Sequence, residues 1–218
     1  MKTLKVLNLY ACLGGNRFKW DEVAAKANYK LEATAVELDP YLAELYQERF
    51  PYDNVIVADA HTYLLDNYKE FDFIWSSPPC PSHSRSRFWN TKAARVYPDM
   101  GLYQQIIFLK HNYTGGYCVE NVVPYYEPLI PGKKRGRHIF WTNFNIPTKI
   151  GRKPPQMTSE KEVKDWIDFH AYDFYKYKGK QRIDKIARNL VDYEAGATIL
   201  SSWLGVKISK DVKQVELF

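Results

Sequence analysis

Short apolar runs alternate with amphipathic segments along the first 120 residues of the chain. The runs are rich in β-branched and aromatic residues, as buried strands are, and lie at residues 4–10, 33–37, 55–57, 71–75 and 117–120. Helical patterns fill the intervals at residues 17–27, 40–50, 61–68 and 101–113. Strands that alternate with helices predict crossover connections. They therefore predict an α/β fold with a mostly parallel sheet and helices on both faces.

The pattern changes after Pro124. Residues 139–143 predict another strand, and residues 148–158 predict a loop. A helix is predicted over residues 160–177, with Trp166, Phe169 and Tyr172 near one face, and a terminal helix over residues 187–204. We therefore expect three parts: residues 1–148, a short insert at 149–186, and a C-terminal helical segment at 187–218 that returns to the first part.

Composition narrows the class of protein. A chain of 218 residues with 45% hydrophobic and 26% charged residues can bury a core, which excludes a disordered chain. The net charge of +6 and the 16% aromatic content suit a nucleic-acid partner without proving one. We expect an intracellular, cytoplasmic protein without a membrane partner, because the apolar stretch before Asn8 is too short to span a bilayer. The compact size would suit a virus or a mobile element.

The three cysteines are sparse and odd in number, which argues against a disulfide framework. They are Cys12, Cys80 and Cys118, and no two of them form a C-x-x-C pair. The sequence therefore predicts no structural zinc site and no bound metal.

Polar residues follow the predicted strands where ligands bind in such sheets, at the carboxyl ends. Gly14 and Gly15 follow the first strand, and they suit either close approach to a cofactor or a tight strand–helix turn. Glu37 ends the second strand, where a carboxylate can accept hydrogen bonds from a ribose diol. Asp59 follows the third strand and could accept a hydrogen bond from an adenine amine. Both Asp39 and Asp59 are also candidates to cap the next helix.

Candidate reactive groups follow the fourth and fifth strands. Cys80 lies in a proline-flanked loop, and the basic residues after it would favour a thiolate; Cys12 and Cys118 fit buried structural cysteines. Glu120 ends the fifth strand, where partial burial lets a carboxylic acid hold a proton near neutral pH. On an extended chain, Arg135 and Arg137 would project the same way and could hold an oxygen or a phosphate. Alone, they could equally form a solvated basic turn.

In this order, the segments resemble the cytosine carbon-5 methyltransferase family over residues 7–143. The most specific motifs are Pro78-Pro79-Cys80, Glu120-Asn121-Val122 and Arg135-Gly136-Arg137. The resemblance implies a Rossmann-like fold, with a mixed, mostly parallel seven-stranded sheet that binds S-adenosylmethionine. It also implies that the target base in DNA is flipped out of the helix.

The resemblance also assigns roles to residues. Cys80 would be the covalent nucleophile, Glu120 would bind the cytosine amine and protonate N3, and Asn121 would orient the neighbouring loop. Arg137, and secondarily Arg135, would hold the O2 edge or the nucleotide backbone. The residues implied in cofactor binding are Tyr10, Ala11, Leu13, Gly14, Gly15, Glu37, Leu38, Asp59, Ala60, Pro78 and Asn189.

The chain departs from the family pattern at several positions. Asn8, Tyr10 and Cys12 stand where the family has aspartate, phenylalanine and the first glycine of the turn. His83 replaces a usual aromatic residue and Lys133 a usual glutamine. Only residues 144–188 occupy the place of the family's target recognition domain.

That short segment suits phosphate contact and stacking better than base readout. Its cations and aromatics are Arg152, Lys153, Lys176, Lys178, Lys180, Arg182 and Lys185, with Tyr172, Phe174, Tyr175 and Tyr177. We expect the enzyme to read one to three bases or to take its specificity from a separate partner chain. The alternative is a solvated helix that packs its aromatics on the core. Residues 81–100 are expected to form a loop that closes over the flipped base.

Two other functions remain open on the sequence. The same chemistry could act on RNA, because a transfer-RNA methylating branch of the family shares the core. The chain could also be a catalytically silent accessory protein that binds nucleic acid.

Overall fold

A computed structural model describes residues 1–85, 94–155 and 163–207 of the chain. Its strands are β1 (Lys2–Leu9), β2 (Tyr29–Glu37), β3 (Asn54–Val57), β4 (Phe73–Ser76), β5 (Gly116–Val122), β6 (Lys133–Arg135) and β7 (His138–Thr142). Its α-helices are α1 (Trp20–Lys26), α2 (Pro40–Arg49), α3 (Ala60–Asn67), α4 (Gly101–Asn112), α5 (Val163–His170), α6 (Ile183–Asn189) and α7 (Tyr193–Leu204). Short 3₁₀ segments cover Tyr68–Glu70 and Phe174–Lys176.

The strands of the described ranges form a seven-stranded sheet in the order β3-β2-β1-β4-β5-β7-β6. The first five are parallel, and β7 runs antiparallel to both of its neighbours. The order 3-2-1-4-5 is that of a doubly wound Rossmann sheet. The predicted Rossmann-like fold with a mixed, mostly parallel sheet is confirmed, and the carboxyl ends of β1 to β5 meet at one edge.

Alternating residues of the central strands fill two cores, one on each face of the sheet. Val6 and Trp75 pack with α1 and α7, whereas Leu7 and Ile74 pack with α3 and α4. The continuous apolar sequence of these strands therefore reflects burial on both faces.

The segment after β7 packs on α2. Trp166, Phe169 and Tyr172 are buried together with Leu42 and Leu45 of that helix. The helix predicted over residues 160–177 is shorter in the structure. It ends at His170, and Ala171 then adopts a left-handed conformation with φ of 50°.

The terminal helix predicted over residues 187–204 is two helices, which corrects that prediction. Residues 190–192 interrupt it, and the Asp192 side chain accepts a hydrogen bond from the Glu194 amide to cap α7. Arg152 strengthens this corner, since its guanidinium contacts the Asp192 carboxylate at 2.6 Å and lies 4.0 Å from the Tyr193 ring centroid.

The loop predicted at residues 81–100 includes residues 86–93, which lie outside the described ranges. Arg87 and Lys92 are among these residues. A hydrogen bond joins the two described ends of the loop, from the Asp99 amide to the Ser82 hydroxyl at 3.0 Å. Closure of this loop over a base stays a prediction.

Candidate active site

A cavity of about 840 Å³ opens at the carboxyl edge of the sheet. It extends from Glu37 and Asp59, which follow β2 and β3, to Cys80 and Glu120, which belong to the β4 loop and to β5. The sequence separates these residues widely, and the parallel strand order brings them into one space.

Glu37 organises the turn that follows β1. Its Oε2 accepts a hydrogen bond from the Cys12 amide at 2.8 Å, and its Oε1 accepts one from the Asp39 amide at 3.0 Å. A carboxylate offers about four acceptor positions, so both oxygens can still accept from a ligand. Cys12 and Tyr10 have positive φ angles of 47° and 57°, which glycine adopts without strain and other residues rarely do.

Asp59 is both a helix cap and a cavity residue. Its Oδ1 accepts hydrogen bonds from the Thr62 amide and hydroxyl at 2.8 and 2.9 Å, which lower the pKa of the carboxyl. The cap interpretation is confirmed for Asp59 and also for Asp39, which accepts from the amides of Tyr41 and Leu42. Leu38 lies beside Glu37 with 67% of its surface exposed, and it lines the cavity.

The predicted cofactor residues divide into two groups by position. Those that line the cavity are Tyr10, Glu37, Leu38, Asp59, Ala60, Pro78 and Asn189. Four others, Ala11, Leu13, Gly14 and Gly15, are buried outside its lining. A Cβ on Gly14 would lie 2.4 Å from the Phe50 ring, and one on Gly15 would lie 2.3 Å from the Val191 carbonyl oxygen. Both glycines therefore let the chain pack on itself.

The surroundings of Cys80 differ from the prediction. Burial, and then the charge of Glu120, raise the pKa of its thiol. Arg137 and Lys185 oppose this shift but do not reverse it. The prediction that the basic loop after Cys80 favours the thiolate is wrong for the described residues. The opposing cations come from the β6–β7 turn and from α6.

The loop that carries Cys80 is tied to β5. Asn121 is buried, and its Nδ2 donates a hydrogen bond to the Pro78 carbonyl at 3.0 Å. The Cys80 carbonyl accepts hydrogen bonds from the amides of His83 and Ser84 at 3.0 and 3.1 Å. Asn121 thus holds the loop that carries Cys80 against the strand that carries Glu120.

Glu120 is 6% exposed and has a histidine beside it. His138 lies in β7, and its Nε2 is 3.7 Å from Glu120 Oε1. Burial lowers the pKa of His138 and favours the neutral imidazole. At 3.7 Å the imidazole is a neighbour of the carboxyl but is too far away for a hydrogen bond. Sequence reasoning missed His138, because only the antiparallel pairing of β7 with β5 brings it to Glu120.

Arg135 and Arg137 do not project the same way, which corrects the prediction. Residues 136–137 form the turn between β6 and β7, with Gly136 at φ of 60°, so the chain is not extended there. Arg135 donates hydrogen bonds to the carbonyls of Pro147 and Ile146. The Arg137 Nη2 instead donates a hydrogen bond to the Arg188 carbonyl at 3.4 Å. Burial lowers the pKa of the Arg137 guanidinium, and the charge of Glu120 opposes that shift.

Further cavity residues lie on or next to α6. They are Gln181, Lys185, Ile186 and Arg188. Sequence reasoning placed Lys185 among the phosphate-contacting cations but not beside Cys80.

Most aromatics of the insert at residues 149–186 do not form the predicted stacking surface. Tyr172, Phe174 and Tyr177 are at most 8% exposed and pack in the core, whereas Tyr175 is 55% exposed. The alternative interpretation, aromatics packed on the core, is correct for these three residues.

The C-5 cytosine-specific DNA methylase family model matches residues 4–122 of the chain. This is more than half of its 218 residues, and the chain belongs to that family. No curated protein sequence matches the chain.

Solved structures also resemble it. DNMT2 of Spodoptera frugiperda is 23% identical, with a TM-score of 0.39, and the match covers 55% of this chain and 36% of that one. A putative DNA modification methyltransferase of an E. coli prophage is 16% identical, with a TM-score of 0.43, over 76% and 54% of the two chains. The putative methyltransferase SMU.776, complexed with SAH, is 19% identical, with a TM-score of 0.35, over 55% and 31%. The chain thus aligns with about a third to a half of the length of these proteins.

In the described ranges, no three His, Cys, Asp or Glu side chains are grouped so that they could hold a metal ion. None of the helices described there is long and apolar enough to cross a bilayer.

Proposed function

We propose that this protein transfers a methyl group from S-adenosylmethionine to carbon 5 of cytosine in DNA, through a covalent adduct with Cys80. The observation that carries the proposal is the single cavity that contains Glu37 and Asp59 as well as Cys80 and Glu120. The methyl donor and the cytosine that accepts the methyl group can therefore bind side by side in one cavity. Its volume is within the usual range for small-molecule sites.

The residues at the ends of β2 and β3 fit the cofactor. Glu37 offers remaining acceptor positions to a ribose diol, and exposed Leu38 offers an apolar surface to the adenine ring. The second oxygen of Asp59 can accept from the adenine amine, because its Oδ1 already caps α3. S-adenosylmethionine, when bound, supplies an electrophilic methyl group.

Cys80 supplies the nucleophile. Carbon 5 of cytosine is a weak nucleophile, and addition of the thiolate at carbon 6 turns the ring into an enamine. The Sγ–C6 bond forms as the C5–C6 double bond opens, and C5 takes the methyl group. Loss of the C5 proton to a base and breakage of the Sγ–C6 bond then restore the aromatic ring and the free thiolate.

Glu120 protonates N3 while the ring is attacked, which limits the negative charge that develops on the base. The imidazole of His138 lies 3.7 Å from this carboxyl and closes off one side of it. Arg137 holds the O2 edge of the base or the nucleotide backbone. The base must leave the helix to reach Cys80, since its ring atoms are inaccessible within a stacked duplex.

We also propose that residues 1–148 form the catalytic part, that residues 149–186 form a reduced recognition insert, and that residues 187–218 return to the catalytic part. In the described part of this insert, the packed aromatics leave little surface for base readout. We therefore expect that the protein reads one to three bases of DNA sequence, or that a separate partner chain supplies the recognition.

Product analysis tests the proposal. The purified protein is incubated with labelled S-adenosylmethionine and, separately, with plasmid DNA and transfer RNA, and nucleosides are identified by mass spectrometry. We expect 5-methylcytosine in DNA, which the Cys80→Ser variant does not produce. Product in RNA alone would reassign the substrate, and product in neither would contradict the proposed activity. Bisulfite sequencing of the plasmid gives the context, and a defined site of four or more base pairs would contradict the reduced recognition.

A further inference from the structure

Two cations line the catalytic cavity from α6, a helix that lies outside residues 4–122, which the family model matches. Lys185 and Arg188 lie on α6, and both line the cavity with Cys80 and Glu120. Leu190 and Ile186, near or on the same helix, pack against Leu13 and Leu42 of the catalytic part. This apolar contact fixes the face of α6 that is turned to the cavity.

The two cations differ in their partners. Arg188 donates a hydrogen bond to the Asp184 carboxylate, which also pairs with Arg182 at 2.9 Å. Lys185 is exposed, and its ammonium group makes no hydrogen bond or ion pair with any residue in the described part of the chain. Its ammonium group is thus the one of the two that is free to bind an anion.

Lys185 and Arg188 line the cavity, and Arg137 lies beside them, since its Nη2 donates a hydrogen bond to the Arg188 carbonyl at 3.4 Å. Asp184 pairs with Arg182 and Arg188, which leaves the Lys185 ammonium group without a carboxylate partner in the described part of the chain. Clustered cations with an unpaired member are stabilised when an anionic ligand binds.

We propose that Lys185 binds a phosphate next to the target nucleotide of the DNA strand, and so anchors the flipped cytidine over Cys80. The inference rests on the proposed function and adds a substrate-binding residue to it. A lysine offers three donors on a flexible stem, which suits a phosphate that moves as the base rotates out. The short insert would then serve to hold the flipped nucleotide, although it reads few bases.

Substitution at Lys185 tests the inference with matched controls. Lys185→Gln removes the charge, Lys185→Arg keeps it, and Lys164→Gln removes an exposed lysine of the same segment that lies outside the cavity lining. For Lys185→Gln, we expect the KM for plasmid DNA to rise roughly five- to tenfold with a smaller change in kcat. Lys185→Arg should restore most of the loss, and Lys164→Gln should resemble the wild type.

The salt dependence of binding gives a second readout. For a labelled DNA duplex, the slope of log K against log salt concentration should become shallower by about 0.9 in Lys185→Gln, as expected for one lost phosphate contact. Affinity for S-adenosylmethionine should stay unchanged, which separates a DNA phosphate from the cofactor carboxylate as the anion. A Lys185→Gln variant that loses cofactor affinity, or that equals Lys164→Gln in both DNA measurements, overturns the inference. An inactive wild type would overturn the proposed function first, and this inference with it.

Discussion

Asn121 donates a hydrogen bond from its buried Nδ2 to the carbonyl oxygen of Pro78 at 3.0 Å. Its Oδ1 accepts a hydrogen bond from the Val122 amide at 2.9 Å, so the amide orientation is fixed from both sides. Pro78 lies two residues before Cys80, and Asn121 follows Glu120, so this bond ties the loop that carries Cys80 to the strand that carries Glu120.

Removal of the Asn121 amide should therefore misplace Cys80. In Asn121→Ala we expect kcat for DNA methylation to fall roughly tenfold or more, since small displacements of a reacting group are costly. Affinity for S-adenosylmethionine should change less than about twofold, because the cofactor side of the cavity keeps its contacts.

Asn112→Ala is a suitable control for this variant. Asn112 donates a similar side-chain hydrogen bond to the Phe108 carbonyl at 3.0 Å, but on the exposed end of α4. It should leave kcat unchanged. Wild-type kcat in a folded Asn121→Ala protein would show that the loop is positioned by other contacts.

The pKa of Cys80 gives a prediction on pH. Burial and Glu120 raise it, so little thiolate is present at neutral pH, and alkylation by iodoacetamide should speed up as pH rises through the alkaline range. Glu120→Gln removes a negative charge and should move this rise to lower pH, whereas Arg137→Met removes a positive charge and should move it to higher pH.

Alkylation is followed by mass spectrometry of the peptide that contains Cys80, with Cys80→Ser as the background. Cys12 should react slowly in the same experiment, since burial raises its pKa to about 12. A Cys80 profile that is identical in all three proteins would mean that neither charge acts on the thiol.

Glu37 provides a test of the cofactor side. Glu37→Gln keeps the shape of the side chain but loses the charge that accepts the ribose hydroxyls. Isothermal titration should show S-adenosylmethionine binding weakened by about 1.5–3 kcal/mol, and Asp59→Asn should show a smaller loss. Glu32→Gln is the control, because Glu32 lies earlier in β2 and does not line the cavity. Unchanged affinity in both cavity variants would place the cofactor elsewhere.

Arg49 connects the insert to the catalytic part. Its guanidinium donates to the carbonyls of Leu13 at 2.7 Å and His170 at 2.8 Å, and burial lowers its pKa to about 10. Arg49→Met should reduce the free energy of unfolding by about 3 kcal/mol, measured by urea denaturation, because two charge-assisted hydrogen bonds are lost. Arg182→Met removes the ion pair with Asp184, in which the arginine side chain is 86% exposed. It should lower the free energy of unfolding by less than about 0.5 kcal/mol. Equal losses would mean that the Arg49 contacts add nothing beyond a surface pair.

The sequence predicted the sheet well because its strands are buried on both faces and read as apolar runs. Each of the first five strands was placed within a few residues, and the carboxylates and the thiol after them were found by position alone. Helix ends were harder to predict, since the break at residues 190–192 depends on the Asp192 cap and on Gly15 packing against Val191.

The parts of the site that depend on long-range packing could not be predicted. His138 reaches Glu120 only through the pairing of β7 with β5, and Lys185 reaches the cavity only because α6 packs on the catalytic part. The raised pKa of Cys80 follows from burial, which a basic local sequence does not reveal. Arg135 and Arg137 were expected to project the same way on an extended chain, but the structure has a turn at Gly136, as in the alternative that the sequence left open.

Covalent trapping on DNA that contains 5-fluorocytosine tests the central claim most directly. Fluorine at C5 cannot leave as a proton does, so the Sγ–C6 adduct persists after methyl transfer. Because the target context is short, plasmid DNA substituted throughout with 5-fluorocytosine is incubated with the protein and S-adenosylmethionine, and the adduct is mapped by proteolysis and mass spectrometry. The account predicts one adduct, on the peptide that contains Cys80, and none in Cys80→Ser. An adduct on Cys12 or Cys118, or methylation of ordinary DNA by Cys80→Ser, would contradict it.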